Sequence, residues 1–212
     1  MKVLRSSLHI FKYVFLMLMV TYTNYMYHIN NQVIMFLEYV FILVVMALPF
    51  KEKIFNDFKK FELKKTFKKN IRTYLIGFLF MFITNLAIQL IFGNLAPNEE
   101  ANRKLLKSMP VFYALVMCLL TPLIEEISFR LSFSDTFKNK KTSIIVTGLF
   151  FGFMHVILAF TSALSFLFIV PYSVLGLTFS YIYFNEKNIF SSTLFHCFHN
   201  LLSIIVIFLT GI

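Results

Sequence analysis

The stretch VFYALVMCLLTPLIEEISFR, residues 111–130, decides how the rest of the chain is read. It is uncharged from Val111 to Ile124 and then places Glu125, Glu126 and Arg130 within two turns of a helix. A charge at the centre of a bilayer costs from about 2.5 kcal/mol upward, so such groups persist where they are paired or functional. Helix positions four apart differ by only about 40°, which puts Glu126 and Arg130 on one face. Read alone, the two form either a buried ion pair holding helices together or part of a reactive site.

The whole chain supports a membrane setting. Of its 212 residues 58% are hydrophobic, 14% are charged and 29 are Phe, with a mean hydropathy of +0.76. That balance departs far from a water-soluble domain and predicts an integral membrane protein, an all-α polytopic transmembrane helical bundle. Apolar runs long enough to span a bilayer fall at 8–28, 33–50, 73–93, 111–134, 144–160, 161–184 and 190–210, giving seven spans. The fifth and sixth meet in HVILAFTSALSF, which holds no charge and no strong breaker. The N-terminus has the charge and apolar run of a signal peptide but no small-residue cleavage site, so it reads as a retained first span. Residues 1–110 form an N-terminal transmembrane region and 111–212 the part that carries the chemistry.

A net charge of +10 would suit nucleic acid, but the basic residues flank the spans. With the N-terminus in the cytoplasm, sixteen lie on the cytoplasmic side and three, Arg103, Lys104 and Lys107, on the other. Positive-inside orientation accounts for this distribution, and nucleic acid is not an expected partner. The lipid bilayer is. Residues 51–72, KEKIFNDFKKFELKKTFKKNIR, carry Phe at 55, 58, 61 and 67 among lysines, as an amphipathic helix on the anionic inner leaflet would; a solvated loop fits equally. Glu99 and Glu100 belong to an outer connection and face water. An abundance of Phe, Ile, Lys and Asn points to an AT-rich genome and a bacterial cell membrane. Cys118 and Cys197 lie in apolar runs and suggest neither a disulfide framework nor a zinc motif.

Other polar residues sit within spans: His155 in FFGFMH, and His196, His199 and Asn200 in FHCFHN. With about 1.5 Å of rise per residue, Glu125, His155 and His196 lie roughly 15, 18 and 10 Å from the cytoplasmic side. Three spans thus bring ionisable groups to one layer, though a single intramembrane histidine is commonly a packing residue. His196 and Asn200 share a helix face. GLFFG, 148–152, permits close helix approach one turn before His155, and Pro122 can kink the span ahead of the glutamates and open a polar cavity. His199 and Cys197 read as structural, Glu38 as paired or beside a polar pocket, and His9 and His28 as meeting water at span ends.

The ordered set Glu125-Glu126-x-x-x-Arg130, Phe151-x-x-x-His155 and His196-x-x-x-Asn200 resembles the three motifs of the CPBP family. That family comprises the type II CAAX prenyl endopeptidases and the bacterial bacteriocin-processing, or Abi, proteins. The likeness covers about 111–205; where family members commonly have Gly after the arginine, this chain has Leu131. The resemblance implies an intramembrane endopeptidase acting on a membrane-associated peptide or protein, such as a CAAX-type substrate, pheromone or bacteriocin precursor. Glu125 would then be the general base, Glu126 the partner of Arg130, and His155 a sharer of the water or proton donor to the leaving amine. His196 and Asn200 would supply oxyanion donors. No cofactor is expected, although two histidines and a glutamate could also hold Zn²⁺ with an open position. Two other classes fit the same residues less fully: a non-catalytic binding protein, such as a bacteriocin immunity or regulatory partner, and a proton-coupled transporter. The chain shows no internal repeat of the kind transporters carry.

Overall fold

The computed structural model describes residues 2–26, 31–93, 96–108, 110–158 and 160–210; His28 lies outside them. Among these residues there is no strand. The helices are α1 Lys2–Met26, α2 Gln32–Ala47, α3 Lys51–Lys59, α4 Leu63–Phe92, α5 Pro97–Ser108, α6 Pro110–Leu115, α7 Thr121–Phe129, α8 Lys140–Ile157, α9 Ile169–Glu186 and α10 Ile189–Thr210. Among the described residues seven helical runs are long and apolar enough to cross a membrane, and large apolar side chains such as Phe11, Phe41, Phe80, Leu90 and Phe208 point outward. The protein is an all-α polytopic bundle embedded in the bilayer.

Local chemistry sets the ends of the helices. Asn31 caps α2 by accepting from the amides of Val33 and Ile34, and Asn139 caps α8 through the amide of Lys141, as short polar side chains do at helix starts. Gly93 ends α4 in the left-handed region at φ 70°, a conformation glycine enters without a Cβ penalty. The fifth and sixth spans separate at a turn after Ile157, followed by a 3₁₀ segment, Ala163–Phe168, that leads into α9.

Two boundaries differ from the sequence reading. The first span begins at Lys2 rather than at residue 8, because Ser6 ties the first turns to the Ser132 carbonyl at 2.8 Å and to the Thr136 hydroxyl at 2.6 Å. The basic stretch 51–72 is not one surface helix. It divides into α3 and the first ten residues of α4, separated at Lys60–Phe61–Glu62. Phe67 stacks on Phe195, with ring centroids 5.6 Å apart, and Phe61 lies against Phe190, while Phe55 and Phe58 remain exposed. Apolar packing against α10 therefore draws the second half into the bundle. His9 also departs from expectation: it is half-buried against the ring of Phe50, 4.9 Å away.

The tightest crossing is that of α8 and α9. Gly148 and Gly152 on α8 meet Gly176 and Ser173 on α9; a Cβ at Gly176 would come within 2.3 Å of the Gly148 oxygen, and one at Gly152 within 2.2 Å of the Ser173 hydroxyl. Thr147 donates to Ser180 across the same contact at 2.9 Å. Small residues of this kind let two backbones approach closely in a membrane.

Candidate active site

The glutamates are aimed by an irregularity just ahead of them. Residues Val116–Leu120 form a π turn between α6 and α7. Within it the amide of Thr121 donates to the Val116 carbonyl, one residue further back than in an α-helix. The next donor would be that of Pro122, which has no N–H. The Met117 carbonyl is thus deprived of a partner within its own helix, and the Asn200 amide of α10 supplies one at 2.7 Å. The kink expected at Pro122 takes this form, a π turn tied laterally to α10.

Past this turn α7 is almost wholly buried. Glu126 and Arg130 are fully buried, with Arg130 Nη1 3.3 Å from Glu126 Oε1. Arg130 Nη2 also donates to the Gly176 carbonyl at 3.1 Å, and its guanidinium lies 4.5 Å from the centre of the Phe151 ring. A carbonyl, a carboxylate and an aromatic face surround the guanidinium, although its Nε and Nη1 make no hydrogen bond. His196 Nδ1 lies 3.0 Å from the same Glu126 oxygen.

Glu125, His155 and His196 meet at one point. Glu125 Oε2 is 3.7 Å from His155 Nε2 and 3.6 Å from His196 Nε2, both beyond hydrogen-bond length. That oxygen is buried and has no hydrogen-bond partner. The Nδ1 of His155 lies 3.0 Å from the Phe151 carbonyl. A carbonyl only accepts, so Nδ1 carries the hydrogen and the neutral ring turns a lone pair outward at Nε2. The Nδ1 of His196 faces a carboxylate held by Arg130, and the same assignment follows. Two imidazole lone pairs and one carboxylate oxygen thus surround a common space. The His155 ring is held by Phe151 and Tyr172, with centroids 4.1 and 5.0 Å away, and His196 stacks on Phe179 at 4.7 Å.

All six candidate residues therefore fall in one contiguous region. Asn200 stands apart in one respect: one of its amide hydrogens is already engaged by Met117. His199 lies to the side, its Nδ1 3.3 Å from the Tyr74 hydroxyl, and Glu38 accepts from Asn24 at 3.1 Å. Sequence reading passed over Gly176 and Met117, because both act through main-chain oxygens. A glycine inside the apolar run VLGLTF was the available signal for the first, and Pro122 for the second.

The donor types suit zinc chemically, but among the described residues no three His, Cys, Asp or Glu side chains are placed to hold a metal ion. Tetrahedral zinc bonds of about 2.0–2.1 Å would set the ligand atoms about 3.3 Å apart, a few tenths of an ångström less than the 3.6 and 3.7 Å separations around Glu125.

Residues 107–202 match the family profile described as "Type II CAAX prenyl endopeptidase Rce1-like". An uncharacterized protein of Mycoplasma capricolum subsp. capricolum is 30% identical over 182 residues, which cover 77% of this chain and 52% of that relative. The chain thus spans about half the length of the relative it matches. No solved structure matches it. The matched segment runs from before the π turn to just past Asn200 and contains every residue of the site described above, so it is the site-bearing part of the chain that is similar to the Rce1-like type II CAAX prenyl endopeptidases.

Proposed function

We propose that the protein is an intramembrane endopeptidase that cleaves a peptide bond in a membrane-associated peptide or protein by glutamate- and histidine-activated water. The observation that carries this reading is the convergence of Glu125 Oε2, His155 Nε2 and His196 Nε2 on one space. All three are acceptors, and a water placed among them has acceptors for both of its hydrogens. Glu125 takes a proton as the water oxygen attacks the scissile carbonyl. His155 Nε2 receives that proton from Glu125 and delivers it to the departing amine as the C–N bond breaks, and the water oxygen stays in the new carboxyl group. The second amide hydrogen of Asn200 would stabilise the developing oxyanion, and His196, whose Nε2 carries no hydrogen while Nδ1–H faces Glu126, would join it only in its protonated form. Glu126 and Arg130 are positioning residues, since Glu126 holds His196 and Arg130 holds Glu126.

The family match and the positive flanks support a cleaved substrate of the CAAX type, or a peptide pheromone or bacteriocin precursor. They also support a bacterial cell membrane with the N-terminus and the cavity mouth in the cytoplasm. In one alternative chemistry Glu125, His155 and His196 would draw closer to hold Zn²⁺, which would polarise the water directly. A non-catalytic partner role would need the apolar cavity but not the base.

Glu125→Gln tests the proposal. It keeps the side-chain shape and removes the base, so the peptides that cells release only when they carry the wild-type protein should fall by about 10² to 10⁴. Full processing by the variant would defeat the reading. Loss of activity on chelation, restored by Zn²⁺, would leave only the zinc chemistry.

A further inference from the structure

Away from the glutamates, a polar cavity of about 300 Å³ opens between the end of α3, the start of α4 and the turn joining α9 to α10. Four spans, Gln32–Lys59, Leu63–Phe92, Ala163–Glu186 and Ile189–Leu209, begin or end at this basin. It therefore lies at the level where the chain leaves the hydrocarbon, the level of lipid headgroups. Phe55, Phe58 and Leu63 beside it are exposed and would lie against acyl chains.

Five lysines and three carboxylates line the basin. Three lysines are already matched: Lys53 with Asp57, Lys65 with Glu62 at 3.0 Å and Lys69 with Glu186 at 2.9 Å. Lys60 and Lys187 have no carboxylate partner among the described residues, so two positive charges remain over a wall that also offers the hydroxyls of Thr66 and Ser191.

Lys187 adds an independent observation. It is the one non-glycine residue with positive φ among those described, at 53°, where it ends α9. Glycine serves this position without strain, and a strained side chain points to a use for that side chain. What the lysine contributes there is its ammonium at the rim of the basin.

We infer that this basin binds a phosphate group, supplied in the membrane as the headgroup of an anionic lipid. Two uncompensated ammonium groups, hydroxyl donors and a mouth at headgroup depth match a compact anion that is held by its acyl chains in the same leaflet. The three carboxylates within the wall weigh against an extended acidic peptide. Basic pockets between membrane helices recognise lipid phosphates by this combination.

The test uses the purified full chain in nonionic detergent, with retained lipid and the thermal midpoint as readouts. Phosphatidylglycerol should be retained and should raise the midpoint, whereas phosphatidylcholine should do neither. Lys60→Gln and Lys187→Gly should each weaken phosphatidylglycerol binding about fivefold, and together about 25-fold. Lys187→Gly relaxes the left-handed turn, so it should fold at least as well as the wild type. If inorganic phosphate alone gives the same lysine-dependent shift, the phosphate site stands and its source is soluble. Equal retention of both lipids, or unchanged phosphatidylglycerol binding in the double variant, overturns the assignment.

Discussion

The side-chain amide of Asn200 donates to the main-chain oxygen of Met117 across 2.7 Å, joining α10 to the π turn that precedes the glutamates. Asn200 thus has a structural task besides the oxyanion role proposed for it, and the two separate experimentally. Asn200→Ala leaves a buried carbonyl without a donor, which should cost about 1–3 kcal/mol of stability. Losing an oxyanion donor should lower turnover by a further 10² to 10³ or so. Unfolding in mixed micelles measures the first, and cleavage well below the unfolding midpoint measures the second. A stability loss with undiminished turnover would remove Asn200 from the chemistry.

Arg130 and Glu126 form a fully buried pair, so breaking it should be worse than replacing it. Arg130→Met strands a carboxylate and should destabilise by about 3–5 kcal/mol. Combining it with Glu126→Gln should recover most of that stability. Activity should not return, because His196 Nδ1 then lacks the anion 3.0 Å away that holds it. A double variant with restored cleavage would show that Glu126 does not position the histidine.

Gly176 is wedged against α8, with room for no Cβ beside the Gly148 oxygen. Gly176→Ala should force α8 and α9 apart at a cost of about 1–3 kcal/mol or more. Its carbonyl also holds Arg130, so cleavage should fall as well, even where the variant remains folded. Gly93→Ala offers a contrast: nothing lies within 4 Å of a Cβ there. Its cost should stay local to a strained helix end, with activity unchanged.

Topology is tested by labelling intact cells with a membrane-impermeant amine reagent. Lys59 and Lys64 should react only after permeabilisation. Lys104, whose side chain is 75% exposed on α5, should react from outside. The reverse pattern would turn the molecule over and move the proposed cavity mouth to the opposite face.

The seven spans were legible in the sequence because hydrocarbon admits helices that satisfy their own backbone groups, and their composition is plain to see. The site was legible for a related reason. Charges and histidines are rare in such helices, so Glu125, Glu126, Arg130, His155 and His196 stand out, with Asn200 one turn beyond His196, and Glu125, His155 and His196 fall in one layer by depth. What escaped notice involves main-chain atoms or residue types common everywhere in this chain. The Gly176 and Met117 carbonyls look like any others in a sequence, and Phe179 is one phenylalanine among 29. Phenylalanines spaced among lysines in 51–72 fit a surface helix or a solvated loop equally, and neither pattern reveals that Phe67 packs on Phe195, a partner 128 positions away.

The π turn at Val116–Leu120 has a consequence for the phase of the whole span. Hydrogen bonding over five residues rather than four gives the helix, in effect, one extra residue. Each residue advances the helix by about 100°, so α6 and α7 present faces that an uninterrupted α-helix could not present together. Tyr113 can pack with Leu106 and Ile207 while Glu125 and Glu126, below the turn, face the histidines. Deleting Cys118 alone would restore an ordinary repeat, and one set of contacts would then have to rotate away by more than a quarter turn. The span works as two angular settings on one axis, and a single residue of length sets the offset between them.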